Sequence, residues 1–405
     1  MSKAYILKTL LFYAVSVLLI VFLADRFFFE GLLDSANFLN WDAMHYARIK
    51  DVGYNGFDVA FFPFLPLIWK HLSLGVGGMV AFNALLYLTS LFFLLRALKS
   101  TVFETLLYLS IPGAIFFYLP YTESLFFAAS TMIILGYKKE NTLLFLLGLF
   151  LSTLSRPAFT VFIPALLVTE YLAGDFSKKN LLKLTAGLFA ILLGMLVVGI
   201  VQYADTGQWF QFFEAQKVWE NKLQFPAFPL TSWAGGLIVR LDAAAFLTGT
   251  AAGVFLLLYL FKLKFLKIIN LPKEVIFSIS YLAGITFSVL IFRGGSMFSL
   301  NRFVFAVPFI IVAIDYYLKS AFTIGTKKLL LSLLFVVLFF LMFGSYVHLQ
   351  NFLKFLFLAF YVILPLALKH ESKPVSVMAL LLLIGLNVFF QLFFYIRFLT
   401  GGWIG

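Results

Sequence analysis

The chain has 405 residues, is 63% hydrophobic and 12% charged, and carries a formal net charge of +12. Soluble domains carry about 25% charged residues, so a chain of this composition is solvated by lipid and not by water. In a membrane protein the positive-inside rule explains the excess of basic residues, and we therefore expect no nucleic-acid partner. The absence of cysteine excludes a disulfide framework, a thiolate metal site and a cysteine nucleophile.

Apolar segments between charge clusters predict an all-α polytopic membrane protein. A spanning helix needs roughly 20 apolar residues, and about thirteen segments approach that length. They lie at approximately 5–24, 76–96, 102–119, 122–138, 142–156, 158–173, 184–203, 237–261, 275–292, 303–318, 329–347, 352–369 and 376–398. The first segment is long and lacks a small-residue cleavage pattern, so we interpret it as a retained helix and not as a signal peptide. We treat residues 1–405 as one membrane domain.

The basic residues predict the orientation of the chain in the membrane. With the N-terminus inside, most of the 30 Lys and Arg residues fall on the inner face, and most of the 18 Asp and Glu residues fall outside. Two segments predicted to lie outside are long enough to fold over the membrane: the first loop, at about 25–75, and the second loop, at about 205–236. We expect the polar chemistry on this outer face, or on the lumenal face of an internal membrane, and we expect interfacial helices in the first loop.

The first loop contains the stretch "NWDAMHYARIKDVGY". Asp42 and His45 are three residues apart, so a helix that begins near Asn40 would place both on one face, beside Trp41. A carboxylate in a partly dry site can act as a general base toward a sugar hydroxyl. The same pattern also fits an acid that caps an interfacial helix flanked by aromatic residues of the membrane belt. We interpret the other charges of this loop as ordinary interfacial charges, namely Arg48, Lys50, Asp51 and Asp58.

Charged residues also stand at later boundaries predicted to face outside. Glu123 follows a proline in "FYLPYTESLFF", where it is either a functional residue or an acid favoured by a helix N-terminus. Arg156 precedes a proline in "TLSRPAFT", and it can either snorkel to lipid headgroups or hold a phosphate with its planar guanidinium. Arg293 and Arg302 flank a glycine turn in "FRGGSMFSLNRFVF", where two cations can meet a lipid phosphate.

The second loop contains "DTGQWFQFFEAQKVWENK", in which apolar residues recur at helical spacing. This pattern predicts an amphipathic helix lying on the membrane, with Glu214, Lys217 and Glu220 on its solvated face. The simplest interpretation is a lid without catalytic residues. The sequence has no Asp-x-Asp, His-x-x-x-His, Walker A, Gly-x-Ser-x-Gly or Gly-x-Gly-x-x-Gly motif, so neither a soluble nucleotide-sugar site nor a dedicated metal site is expected.

Seven stretches in chain order resemble one family. They are "WDAMHYARIKDVGY", "AFFPFLPL", "YTESLFF", "LSRPAF", "FFEAQKVW", "SLNRFVFAVPF" and "FLTGGWIG", and they run from residue 41 to the C-terminus. Together they resemble the PIG-V family, glycosyltransferase family 76, which contains GPI mannosyltransferase 2 and bacterial relatives. The resemblance implies a GT-C-type membrane fold and an inverting sugar transfer, with mannose as the first choice, from a polyprenyl-phosphate donor on the extracytoplasmic face.

The same resemblance implies an extracytoplasmic glycan or glycolipid as the acceptor and no cofactor, because the lipid-linked sugar is itself a substrate. The phenylalanine-rich, cysteine-free composition and the compact loops favour a bacterial protein of the cytoplasmic (inner) membrane. Asp42 matches the catalytic carboxylate of the family. The sequence makes no prediction about the oligomeric state.

These implications combine with the residue patterns into one hypothesis. Asp42 deprotonates the acceptor hydroxyl, while Arg156 and Arg302 neutralise the phosphate leaving group. His45 would orient Asp42 or bind sugar hydroxyls, and Glu123 would line the acceptor side or pair with an arginine. The further candidates are Arg293 and Lys217 for the donor phosphate, and Trp41, Tyr121 and Gln216 for substrate binding.

Two other functions stay open at this point. A transporter or flippase of a lipid-linked saccharide would also place arginines and acids along a phosphate path. A non-catalytic scaffold would instead bind a partner through the second loop. The catalytic hypothesis predicts that Asp42, Glu123, Arg156 and Arg302 line one outward-facing cavity that opens laterally to lipid.

Overall fold

The computed structural model describes residues 3–173, 177–218, 221–232, 236–266, 271–344 and 349–405. Within these ranges the chain is helical and contains no β-strand. The α-helices are α1 (Lys3–Phe27), α2 (Asp42–Val52), α3 (Phe64–His71), α4 (Val76–Leu98), α5 (Val102–Ser110), α6 (Glu123–Lys138), α7 (Thr142–Ser155), α8 (Phe159–Ala173), α9 (Lys178–Thr206), α10 (Gln211–Val218), α11 (Gly236–Leu266), α12 (Lys273–Phe292), α13 (Leu300–Phe305), α14 (Pro308–Lys319), α15 (Thr326–Phe339), α16 (Leu349–Ala367) and α17 (Lys373–Leu399). Short 3₁₀ helices occupy Ser35–Leu39, Gly56–Ala60, Pro112–Tyr118 and Phe340–Phe343.

Eight helices in the described part of the chain are long and apolar enough to cross a membrane. They are α1, α4, α9, α11, α12, α15 with its 3₁₀ extension, α16 and α17. A ninth candidate is the bent pair formed by Pro112–Tyr118 and α6, whose axes meet at 110°. The predicted all-helical polytopic class is confirmed, whereas eight or nine candidates stand against the roughly thirteen expected from segment length.

The difference in number falls on apolar segments that form short or broken helices. The segment expected at 102–119 forms α5 and a 3₁₀ helix, the segment expected at 303–318 forms α13 and α14, and the segments expected at 142–156 and 158–173 form the short helices α7 and α8. The breaks within 102–119 and 303–318 fall at Pro112 and Pro308, because proline removes a backbone donor and clashes with the preceding turn. Hydropathy counts such runs as spans because it does not register where a helix breaks.

The break before α6 is stabilised by a side chain from another helix. Asn83 of α4 is fully buried, and its amide nitrogen donates to the carbonyls of Leu119, at 2.6 Å, and Tyr121, at 3.0 Å. In a membrane an unpaired backbone carbonyl costs several kcal/mol, so an irregular segment is tolerated only where protein groups satisfy it. Asn83 thereby lets the chain turn sharply and begin α6 at Glu123.

On the other side of this break, Gln391 of α17 also donates hydrogen bonds to buried backbone carbonyls. Its amide nitrogen donates to the carbonyls of Leu109, at 2.7 Å, and Ile111, at 2.8 Å. The hydroxyl of Tyr13 in α1 in turn donates to the Gln391 side-chain oxygen at 2.5 Å. Helices from both ends of the chain therefore pack around the end of α5 through hydrogen bonds as well as apolar contacts.

Helices α6 and α7 pack at very close range, which positions the residues at their ends. A Cβ atom at Gly148 of α7 would lie 2.7 Å from the carbonyl oxygen of Ala129 in α6, so only glycine fits there. Helix α7 ends at Ser155, and Arg156 follows in an extended conformation, with φ −167° and ψ 159°. The interruption predicted before the proline at position 157 is confirmed.

The two loops predicted to lie outside are largely ordered by short helices. The first loop contains α2 and α3, and the helix predicted from "NWDAMHYARIKDVGY" begins at Asp42. The amphipathic helix predicted in the second loop is α10, which buries Phe212 and Ala215. Residues 219–220, which include the predicted surface charge Glu220, lie outside the described residues.

The hydrogen bonds of Asn83 lead to a stability prediction. Replacing Asn83 with alanine leaves two buried carbonyls without their donor, so the variant should lose about 2 kcal/mol or more of unfolding free energy. The exposed Asn351 in α16 is the control, because its replacement by alanine removes no buried partner. Unfolding of both variants in mixed micelles would measure the difference. Equal stability of the two variants would show that Asn83 does not support the break.

Candidate active site

Four charged residues from distant parts of the chain meet in what we name the charged cluster: Asp42, Glu123, Arg156 and Arg302. Nη1 of Arg302 lies 2.5 Å from Oδ2 of Asp42, and Nε of Arg302 donates to Oε1 of Glu123. Nη1 of Arg156 lies 3.1 Å from the same Glu123 oxygen. The two carboxylates and two guanidinium groups therefore neutralise each other in one continuous chain of contacts.

The members of the charged cluster differ in their exposure. Glu123 is 0% exposed, and both arginines are buried, whereas the Asp42 side chain keeps 27% of its surface exposed. The prediction that the four residues come together is confirmed. The prediction that they line an open cavity is wrong for this structure, because Glu123 and both arginines are buried and Asp42 is the most exposed of the four.

Aromatic rings form dry walls around Arg302. Its guanidinium carbon lies 4.7 Å from the centre of the Tyr121 ring and 5.4 Å from that of Phe116. Burial opposes the positive charge, but the Glu123 and Asp42 carboxylates outweigh it and raise the pKa of Arg302 well above its ordinary value. Arg302 is therefore permanently charged, and Tyr121, predicted to bind substrate, packs against that charge.

Arg156 is enclosed in a similar way but has hydrogen-bonding capacity to spare. Its guanidinium carbon lies 4.9 Å from the ring centre of Phe303 and 5.4 Å from that of Phe126. Nη1 of Arg156 and Oε2 of Glu123 are buried and have no hydrogen-bond partner among the described residues. An unsatisfied buried donor costs roughly 1–3 kcal/mol, so Arg156 can still donate a hydrogen bond to an anionic oxygen.

The backbone at the start of α2 fixes Asp42 through contacts with the C-terminal segment. Trp41, the N-cap of α2, has a positive φ of 56°, and its indole nitrogen donates to the carbonyl of Gly401 at 3.2 Å. The amide of Asn40 donates to the carbonyl of Phe398 at 2.8 Å. Trp41, predicted to bind substrate, therefore links the first loop to the end of α17 and presents Asp42 at the surface.

A carboxylate without an assigned role in the sequence holds the helix that carries Arg302. Asp242 of α11 is fully buried and accepts hydrogen bonds from the backbone nitrogen of Asn301, at 2.8 Å, and from the hydroxyl of Ser232, at 2.6 Å. It thus caps the start of α13 from another helix. The signal that could have revealed it is an acidic residue near the start of an otherwise apolar run.

His45 lies on α2 but turns away from Asp42. Its Nδ1 is 2.6 Å from Oδ1 of Asp58, and its ring stacks on Phe61 with centroids 4.5 Å apart. Nη1 of Arg48 lies 3.5 Å from the same Asp58 oxygen. The first alternative for His45, that it orients Asp42, is therefore wrong, because Asp58 pairs with the histidine while Arg302 pairs with Asp42. The second alternative, that His45 binds sugar hydroxyls, stays a prediction.

The same contacts correct the interpretation of Asp58 as an ordinary interfacial charge. Asp58 is 0% exposed, and its Oδ2 has no hydrogen-bond partner among the described residues. A buried carboxylate requires a compensating partner, which His45 and Arg48 provide. Sequence spacing does not show this pairing, because it depends on how α2 packs against the 3₁₀ helix at Gly56–Ala60 that contains Asp58.

Arg293 lies beside the charged cluster without joining it. Its Nη1 donates to the carbonyl of Phe298 at 2.5 Å, and its guanidinium carbon is 5.7 Å from the Phe303 ring that Arg156 also contacts. Burial lowers the pKa of Arg293 to about 10, although the nearby Asp242 carboxylate favours its charge. At neutral pH Arg293 remains a cation, held close to the arginines of the charged cluster.

Lys217 and Gln216 have partners of their own on and beside α10. Lys217 is exposed and pairs with Glu214 at 2.7 Å. The side-chain oxygen of Gln216 accepts from Asn221 at 2.7 Å. The structure therefore brings neither Lys217, predicted to bind the donor phosphate, nor Gln216, predicted to bind substrate, into contact with the charged cluster.

A surface cleft of about 400 Å³ lies between the first loop and the end of α17. Its lining combines backbone, polar and apolar groups from Phe29, Glu30, Gly31, Leu32, Asn37, Asn40, Leu399, Thr400 and Gly401. Asn40 connects the cleft to Asp42, which is two residues further along the chain. In the described ranges, no three His, Cys, Asp or Glu side chains gather into a group that could hold a metal ion.

Comparisons with protein-family models, with curated proteins and with solved structures found no match to this chain. The geometry of the charged cluster and the sequence motifs that contain its residues are therefore the features that bear on function.

Removing the shared carboxylate should expose how much the fold depends on it. Glu123→Gln leaves two buried guanidinium groups without their common counter-ion, so we expect a loss of about 3–5 kcal/mol in unfolding free energy. Glu214→Gln is the matched control, because it removes an exposed acid paired with Lys217 and should leave stability unchanged. Unfolding in mixed micelles measures both variants, and a Glu123→Gln protein as stable as the control would contradict the expectation.

Proposed function

We propose that the protein is an inverting glycosyltransferase of the GT-C class. It would move a sugar, with mannose as the first choice, from a polyprenyl-phosphate donor to an extracytoplasmic glycan or glycolipid. The observation that carries this proposal is the charged cluster. Asp42, which is partly exposed, contacts the buried Arg302, and Arg302 and Arg156 both contact the buried Glu123. A general base beside cations for a phosphate is what sugar transfer from a lipid phosphate requires.

The reaction assigns a separate task to each side of the charged cluster. The acceptor hydroxyl oxygen attacks the anomeric carbon of the donor sugar, and its proton passes to the Asp42 carboxylate. The bond from the anomeric carbon to the phosphate oxygen breaks, and the polyprenyl phosphate leaves with one more negative charge. Arg302 and Arg156 stabilise that charge. Because attack and departure occur on opposite faces of the sugar, the anomeric configuration inverts.

Nη1 of Arg156 supports a phosphate ligand at this position, because it lies 3.1 Å from Oε1 of Glu123 as an ion pair but makes no hydrogen bond there. It is a buried donor with no hydrogen-bond partner among the described residues, and a phosphate oxygen would satisfy it. A guanidinium group is well suited to this role, because its fixed fork matches the geometry of phosphate oxygens. The arginine charges also reduce the need for a metal ion at the leaving group.

The cleft beside the first loop offers a path for the acceptor. Glu30, Asn37, Asn40 and Thr400 contribute polar groups to its lining. Sugars are recognised by such groups together with aromatic rings, and Trp41 stands where the cleft approaches Asp42. An acceptor sugar seated there would bring its hydroxyl toward the exposed side of Asp42.

The sequence motifs add independent support. Asp42, Glu123, Arg156 and Arg302 each fall in a different one of the stretches that resemble the PIG-V family. The residues of one functional site are commonly far apart in sequence and close together in the fold, as these four are. By this resemblance the protein would act at a bacterial cytoplasmic membrane, on its extracytoplasmic face.

A flippase for a lipid-linked saccharide is the second candidate, because buried arginines would also receive the phosphate of a transported lipid. The two functions differ in their need for a base. Transport without bond cleavage requires no proton acceptor at Asp42, whereas sugar transfer does.

The proposal predicts the behaviour of an Asp42→Asn variant. Purified protein is incubated with radiolabelled polyprenyl-phosphate mannose and a membrane extract, and the labelled product is identified. Loss of the general base should lower the rate of transfer by about 100-fold or more. Asp51→Asn, on the same helix but 63% exposed, should keep full activity.

Near-normal transfer by the Asp42→Asn variant would refute the assigned base. Absence of any labelled product from the wild-type protein, combined with movement of the donor lipid across the membrane, would favour the flippase instead.

A further inference from the structure

Two nitrogens of the Arg302 guanidinium group contact two different carboxylates. Nη1 lies 2.5 Å from Oδ2 of Asp42, and Nε donates to Glu123. In the proposed reaction Asp42 must accept a proton and Arg302 must meet a phosphate. The ion pair between them occupies both groups, so the structure represents a state in which neither is ready to react.

The two carboxylates are held to different degrees. Glu123 is 0% exposed and contacts both Arg302 and Arg156 at the start of α6. Asp42 contacts only one of these arginines, and its side chain is 27% exposed at the first position of α2. Because Asp42 is partly exposed, water or another anion can replace it at Arg302 at a lower cost than replacing the fully buried Glu123.

We propose that the donor phosphate displaces Asp42 from Arg302, and that this exchange frees Asp42 to act as the base. The inference rests on the function proposed above. Glu123 keeps both guanidinium groups in place throughout, so the phosphate enters a site that is already charged and oriented. Because a carboxylate and a phosphate repel each other, a donor phosphate that approaches Nη1 of Arg302 weakens the contact of Asp42 with that nitrogen.

The exchange keeps the charges balanced during transfer. Before the reaction Asp42 carries one negative charge, and the phosphodiester of the donor carries another. When the acceptor proton moves to Asp42, the new bond forms from the acceptor oxygen to the anomeric carbon, and the old bond to the phosphate breaks. One negative charge has then moved from Asp42 to the departing phosphate, which Arg302 and Arg156 already contact.

Such an exchange would make the active site dependent on the donor. Without a donor, Asp42 is paired and cannot deprotonate water or an acceptor hydroxyl. With a donor, the base is released next to the sugar that is to be transferred. This order of events would protect the lipid-linked sugar from premature attack.

Binding of polyprenyl monophosphate, which carries the leaving group but no sugar, tests the exchange without requiring catalysis. Asp42→Asn removes the competing charge with little change of shape, so the variant should bind this lipid about fivefold to tenfold more tightly than the wild type. Asp42→Ser is a second variant in which the carboxylate is absent. The control is Asp51→Asn, since Asp51 pairs with Lys50 and lies away from Arg302.

The measurement is a titration of each purified, folded variant in micelles, with thermal unfolding recorded alongside. Tighter binding by both Asp42 variants, with Asp51→Asn unchanged, supports the exchange. Equal or weaker binding by both Asp42 variants, when the wild type does bind, overturns the exchange and leaves the proposed transferase function in place. Absence of binding by the wild type and every variant overturns the donor assignment as well as the exchange.

Discussion

The contact of one buried carboxylate with two buried guanidinium groups is the constraint on which the charged cluster depends. Glu123 accepts from Arg302 and lies 3.1 Å from Arg156, so it neutralises cations contributed by α13 and by the end of α7. Two arginines left together in a dry environment would repel each other and cost several kcal/mol each. The arginine that Asp42 meets is thus held in place by Glu123, while Trp41 and Asn40 fix the start of the helix that carries Asp42.

The position of Glu123 in turn requires an interrupted helix inside an apolar protein. Lipid offers no hydrogen bonds to a broken backbone, so the interruption exists only because Asn83 and Gln391 supply donors to it. On the other side of the site, Asp242 satisfies the start of α13 and so holds Arg302. Buried polar side chains thus satisfy the backbone groups of irregular segments and hold the charged residues of the site in place.

A rigid interior combined with one exposed acid suits a reaction at the edge of a bilayer. Arg156 and Arg302 lie in dry surroundings, where each charge interaction is stronger than it would be in water. Asp42 is the member of the charged cluster with a substantially exposed side chain, as the proposed transfer to an acceptor requires. The second pair on the first loop, His45 with Asp58, leaves Asp42 free of further partners on its own helix and ties the loop to the protein beneath it.

The sequence by itself determined the membrane class, the helix that begins at Asp42 and the break at Arg156, because hydropathy, capping and proline act over a few neighbouring residues. It also singled out the four members of the charged cluster. Only the tertiary structure decided their partners, the burial of Asp58 and the number of helices that reach spanning length. Which charge meets which depends on the packing of distant helices, and sequence spacing carries no information about those contacts.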